Sequence, residues 1–182
     1  LDVLVRKDNR NRYVHHAYLG AEQVQKRAKK MGLSKSEVSW LECFVLNHMG
    51  LQEMDVSSDK SDQRIFLYHF FQAAQQTAPF IALFSLADLL ATYGDTITQE
   101  RWQIGLYRCE EIIHGWFHEH ASLVQIEPFL DGDELQKEFH LQPGKELGAL
   151  LTQLRMQQAA GKICSKQQAR DWVGTWLQLK KE

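Results

Sequence analysis

A chain of 182 residues is long enough for one domain with a good core or for two small ones. Its 44% hydrophobic and 24% charged residues are ordinary for a globular protein and argue against a disordered or fibrous chain. A net charge of −2 gives no whole-chain electrostatic case for nucleic acid, so any such case has to be local.

Cys43, Cys109 and Cys164 are far apart and form no CxxC pair, which argues against a disulfide framework or a zinc ribbon and fits a reducing compartment. No signal peptide and no membrane span are read, so the expected setting is cytoplasmic with no membrane partner. A chain that opens on Leu1 rather than Met is expected to be a piece of a longer protein.

With three prolines and many Leu, Gln, Ala, Glu and Lys residues, the expected class is all-α. Residues 1–13 are polar and basic. The turn chemistry of Asp8-Asn9-Arg10-Asn11 joins two short extended pieces, and no longer strand pattern stands out. Tyr18, Ala21, Val24, Ala28 and Met31 recur at three and four and predict a helix over 15–31, stopped by Gly32. Ser34 followed by Glu37 is a capping box and predicts a helix from there to 48, with Val38, Leu41, Val45 and His48 on one stripe. Residues 49–62 read as an acidic, serine-rich loop, and 63–77 as a helix burying Phe66, Phe70 and Phe71.

Residues 79–93, PFIALFSLADLLATY, are apolar on every side, so a buried central helix is expected, opened by Pro79 and stopped by Gly94. At about 15 residues it is too short to span a bilayer. Asp88 is its only charge and needs donors, a cation, a metal or contact with solvent. Thr98 caps a long helix to about 120, with Trp102, Leu106, Cys109, Ile113 and Trp116 as its apolar stripe. Residues 121–130 break the period. Three compact helical segments follow, capped by Asp131, opened by Pro143 and capped by Ser165. The expected organisation is a helical body over 1–120, a linker over 121–130 and a three-helix tail over 131–182.

Four constellations bear chemistry. His15, His16, His48 and Asp88 offer imidazole and carboxylate donors suited to a divalent metal, or they satisfy one another without one. His114, His118 and His120 put two rings four apart on a helix, beside Glu111, and equally describe a solvated helix end. Residues 1–35 carry nine Lys and Arg against three acidic residues, which makes this segment +6 in a chain of −2. Its cluster Lys26, Arg27, Lys29 and Lys30 is a phosphate-contacting face or a solvated surface. Lys145, behind Pro143-Gly144, starts a helix whose free N–H groups can receive a phosphate oxygen, or the joint serves packing alone.

Leu130, Gly132, Glu134 and Leu135 are followed by Pro143, Gly144, Gly148, Leu150 and Leu151, then by Gly161, Ile163 and Ala169. This run resembles the C-terminal region of bacterial tRNA nucleotidyltransferases and poly(A) polymerases. Further forward, His16, Gly20 and Ala21, then Leu33-Ser34 with Leu46, His48 and Met49, then Leu86, Asp88, Ala91 and Gly94 are similar to the same family. The resemblance implies a parent that transfers AMP or CMP to an RNA 3′ end, using magnesium held by an N-terminal nucleotidyltransferase head. The Gly-Ser and Asp-x-Asp motifs of that head do not open this chain.

In this reading the body is HD-like, with His48 and Asp88 at remnant metal positions, although no His-Asp dipeptide occurs. The implied role is to hold tRNA or another RNA, through phosphate contacts from Lys26, Arg27, Lys29, Lys30, Lys145, Lys166 and Arg170. The fragment itself implies no cofactor. An HD-type metal-dependent phosphohydrolase and a non-catalytic helical interaction module are the alternatives.

Overall fold

A computed structural model describes residues 4–7, 10–13 and 16–179, with side chains from residue 17 onward. The chain is all-α, apart from an antiparallel ribbon of β1 (Leu4–Lys7) and β2 (Arg10–Tyr13), paired from Leu4↔Tyr13 to Lys7↔Arg10. These strands are the two extended pieces expected around the turn. Asp8 and Asn9 themselves, the side chains of Arg6, Lys7, Arg10 and Arg12, and those of His15 and His16 lie outside the described residues. The chain divides into two compact units. One takes in the described residues up to Met54 together with Phe70–Ile113; the other takes in Asp55–His69 and the described residues from His114 on.

In the first unit α1 (His16–Lys30) packs along α2 (Lys35–Asn47). The predicted capping box opens α2: the Glu37 N–H donates to Ser34 Oγ at 3.3 Å, and the Ser34 N–H donates to Glu37 Oε2 at 2.7 Å. Ala21, Ala28 and Val38 are buried between them and their surroundings. The stretch expected as an acidic loop starts instead with a 3₁₀ turn, Gly50–Glu53, and buries Leu51 and Met54 completely. Two apolar side chains three apart anchor it, and Arg108 donates Nε and a terminal N–H to the Met54 carbonyl at 3.1 and 2.6 Å.

Helix α3 (Lys60–Ala74) leads through a 3₁₀ turn, Gln75–Thr77, into α4 (Ala78–Tyr93). By length and composition alone the helical run Lys60–Thr96 is long and apolar enough to cross a membrane, a test that the core helix of a globular protein also passes.

Helix α4 corrects a second expectation. Ala78, Pro79, Ile81 and Ala82 are buried, but Phe80, Leu83, Phe84 and Leu90 are 55, 59, 39 and 48% exposed. One flank meets α2, where Trp40 and Phe44 stand edge-on to Phe80 and Phe84 with centroids 5.3 and 5.4 Å apart. Another flank meets α5 (Gln99–His118) at Gly105, where a Cβ would lie 2.8 Å from Leu89 Cδ2 and 3.4 Å from Leu86 Cδ2. The third flank is open. The same close approach sets the inner face of α5: Cys109 and Ile112 are buried, whereas Leu106, expected in the stripe, is 42% exposed.

In the second unit α6 (Gly132–Phe139), α7 (Lys145–Ala159) and α8 (Lys166–Leu179) enclose a core of Leu130, Leu135, Leu147, Leu150, Leu154, Ile163, Ala169 and Val173. Asp131 caps α6 in a capping box with Glu134, and the Gln168 N–H donates to Ser165 Oγ at 3.2 Å as α8 begins. Gly161, at φ +74°, closes α7, with the Lys162 N–H reaching the Gln157 carbonyl at 3.0 Å. A π-turn, His120–Val124, follows α5. The chain after it is tied down by Gln158, whose side-chain oxygen accepts the Phe129 N–H and whose nitrogen donates to the Glu127 carbonyl, both at 3.0 Å.

Candidate nucleic-acid interface

Three basic side chains of the first unit, Arg27, Lys29 and Lys30, stand in the last turn of α1. A helix C-terminus carries partial negative charge, so Arg27, Lys29 and Lys30 are stabilised where they stand. All three are exposed and make no ion pair among the described residues. Lys26 differs, since its Nζ donates to Glu22 Oε1 one turn earlier at 2.6 Å. That contact is also what lowers the Glu22 carboxyl below the usual range. The face therefore presents three exposed cations with no ion pair among the described residues and a fourth that shares its charge with a neighbour.

In the second unit the three expected cations fall into two kinds. Lys145 opens α7 exposed, behind Gly144, which has no side chain to cap the first N–H groups. Lys166 and Arg170 lie one turn apart on α8, and both are already engaged across the tail. Lys166 pairs with Glu134, and Arg170 holds both oxygens of Glu138 at 2.7 and 2.9 Å. The Lys166 hydrogen bond holds the Glu134 carboxyl below its ordinary value, and Arg170 does the same for Glu138. A phosphate reaching either cation would compete with a carboxylate already in place.

Asp88 resolves the question that its helix posed. It is half-buried and lines an open cavity of about 620 Å³ with Ser85, Thr92, Tyr93, Arg101 and Arg108. Asp88 thus keeps contact with solvent and shares the lining of this cavity with two arginines. Arg101 lies over the Tyr93 ring, 4.2 Å from its centroid. Arg101 and Arg108, seven apart on α5, escaped the sequence reading because only the apolar stripe of that helix was followed; their spacing was the available signal.

His48 does not line this cavity. Its Nδ1 lies 2.6 Å from the Val45 carbonyl, and its ring stands against Phe84. Among the described residues no three His, Cys, Asp or Glu side chains come together in a way that could hold a metal.

The histidines in the last turns of α5 and just after it have partners of another sort. The His114 and His118 rings meet at a tilt of 38° with centroids 5.2 Å apart, and His114 Nδ1 lies 3.4 Å from Glu119 Oε1. His120 Nδ1 lies 3.1 Å from the Trp116 carbonyl. Partial burial pushes the Glu119 carboxyl up, but the hydrogen bond and charge of Arg64, joined by His114 and Ser122, bring it net below its ordinary value.

Compared with proteins of known function, the chain is 29% identical over 167 residues to the CC-adding tRNA nucleotidyltransferase of Thermus thermophilus. The match takes in 92% of this chain and 34% of the relative, in the relative's C-terminal part. The chain thus spans about a third of the length of that curated relative, as the resemblance in its motifs led one to expect. No family model matches the chain, and no solved structure matches it.

Proposed function

We propose that this chain is the RNA-holding C-terminal part of a tRNA nucleotidyltransferase-like enzyme, and that it positions a tRNA or related RNA so that its 3′ end reaches a catalytic head supplied by an N-terminal nucleotidyltransferase domain. The observation that carries the reading is the similarity over nearly the whole chain to the C-terminal third of an enzyme of that kind. In this reading the chain performs no chemistry, and magnesium belongs to the head. The working organisation is a body over 1–120, a linker over 121–130 and a tail over 131–182, in a cytoplasmic setting with no membrane partner.

Binding is to the RNA backbone. Lys and Arg side chains contact phosphates and respond to shape rather than sequence. Arg27, Lys29 and Lys30 make the primary contacts, with Lys145 as a separate point at the start of α7. Lys26, Lys166 and Arg170 join only by sharing or releasing Glu22, Glu134 and Glu138. A metal-dependent phosphohydrolase finds less support, because His48 and Asp88 have no third donor among the described residues.

The test is binding of the chain to a labelled tRNA across a salt series, beside a duplex DNA of equal charge. The expected result is tighter binding of tRNA that weakens steadily with salt. No binding at low salt would overturn the RNA-holding role.

A further inference from the structure

We propose that the open face of α4 is the seat of the polypeptide that precedes this chain in the longer enzyme of the proposed function. Phe80, Leu83, Phe84, Ala87 and Leu90 recur at three and four and so share one side of the helix. Four of these five are large apolar residues between 39 and 59% exposed, and they follow one another for about 15 Å along the axis. Together they leave apolar area on the order of 400 Å², which is as much as a whole monomer commonly shows in its largest patch. The face is also preformed: Phe80 and Phe84 are held edge-on by Trp40 and Phe44 of α2.

Charge narrows the occupant. The single acidic or basic residue of α4 is Asp88, which lines the cavity that Arg101 and Arg108 also line. The open stripe has no cation for a nucleic-acid backbone and no charge to pair with a basic or acidic peptide. It suits another apolar surface, with Ala87 as a notch between Leu83 and Leu90 where a large side chain of a packed helix would sit.

Two further facts choose among apolar partners. The composition of α4 is that of a helix covered on all sides, yet the described residues cover it on two. In the Thermus thermophilus relative the matched part is the C-terminal third, so about two thirds of that protein lie outside the match, ahead of it. A preceding region of that size supplies the missing cover. The proposal therefore rests on the reading given under Proposed function and adds the surface at which the two parts meet.

The test is thiol labelling read residue by residue by mass spectrometry. The variants are Leu83→Cys, Leu90→Cys and, as a reference, Phe117→Cys, whose parent side chain is 64% exposed. Each is compared in the 182-residue chain and in the longer product of the same coding sequence. The expected result is rapid labelling of all three positions in the chain alone, and labelling at 83 and 90 slowed at least about tenfold in the longer product, with 117 unchanged.

Equal labelling at 83 and 90 in a longer product that still adds nucleotides to tRNA would overturn the proposal and leave the enzyme reading standing. A coding sequence with no further upstream region would bring down that reading, and the proposal with it. Slowing in the chain alone that grows with its concentration, or that appears with lipid vesicles, would assign the face to a second copy or to a membrane and overturn the proposal.

Discussion

Arg64 and Glu119 form an ion pair in which each is largely shielded from solvent, with side chains 18 and 29% exposed. The same guanidinium donates Nε to the Ala159 carbonyl at 2.6 Å, so it also ties the end of α7. Because the net effect lowers the Glu119 carboxyl, its contribution to stability is present above the ordinary glutamate value and is lost as pH falls through the lowered one. Glu119→Gln is expected to cost about 1–2 kcal/mol near neutrality, and progressively less as the pH falls through the lowered value and the folded-state carboxyl is protonated as well. Urea unfolding of the two proteins at several pH values measures this; a gap that stays constant on acidification would show that the pair does not act through the ionised carboxylate.

Charge reversal on the α1 face provides the second prediction. Replacing Arg27, Lys29 and Lys30 together by Glu is expected to weaken tRNA binding and to reduce the slope of log K against log salt by about 2–3. Lys26→Glu alone should have a smaller effect than any one of them, since Lys26 already shares its charge with Glu22. A slope unchanged in the triple variant would remove this face from the interface.

The open flank of α4 makes a prediction about stability that is separate from what covers it. Leu83→Asp with Leu90→Asp is expected to change the unfolding free energy of the chain by no more than about 0.5 kcal/mol per site, as for other exposed positions. Ile81→Ala, two residues from Leu83 and fully buried, is expected to cost about 2–5 kcal/mol. Thermal melts of these variants separate the two flanks; a large loss in the aspartate pair would mean that the face is packed within the chain.

Gly161 supplies a local check on the tail. Its φ of +74° closes α7 in a conformation where a Cβ meets no neighbour but strains the backbone itself. Gly161→Ala is therefore expected to destabilise the chain by about 1 kcal/mol, through backbone strain alone. Denaturant titration would show a lower midpoint with an unchanged slope.

What could be read in advance was the chemistry that is local along the chain. Ser34 with Glu37 and Asp131 with Glu134 are capping boxes that close within four residues, and Gly94 stops α4 as expected. Partnerships across long separations were not legible. Lys166 and Arg170 read as available cations, and their carboxylates stand 32 residues away in the chain. The apolar run in α4 told how hydrophobic the helix is but carried no information on which flank the rest of the chain would leave bare. Leu51 and Met54 were hidden inside an acidic, serine-rich stretch whose average composition outweighed two buried side chains.

Gln158 bears on how this molecule can vary. Its amide acts as a one-residue strand, accepting from one peptide group and donating to another two residues before it. Both bonds go to main chain, so the side chains at positions 127 and 129 take no part in them. Drift at those two positions is therefore cheap, whereas Gln158 has few substitutes, since a carboxylate loses the donor and a shorter amide loses the reach. The path of the connection is thereby specified from a distance, by a residue that is not in it.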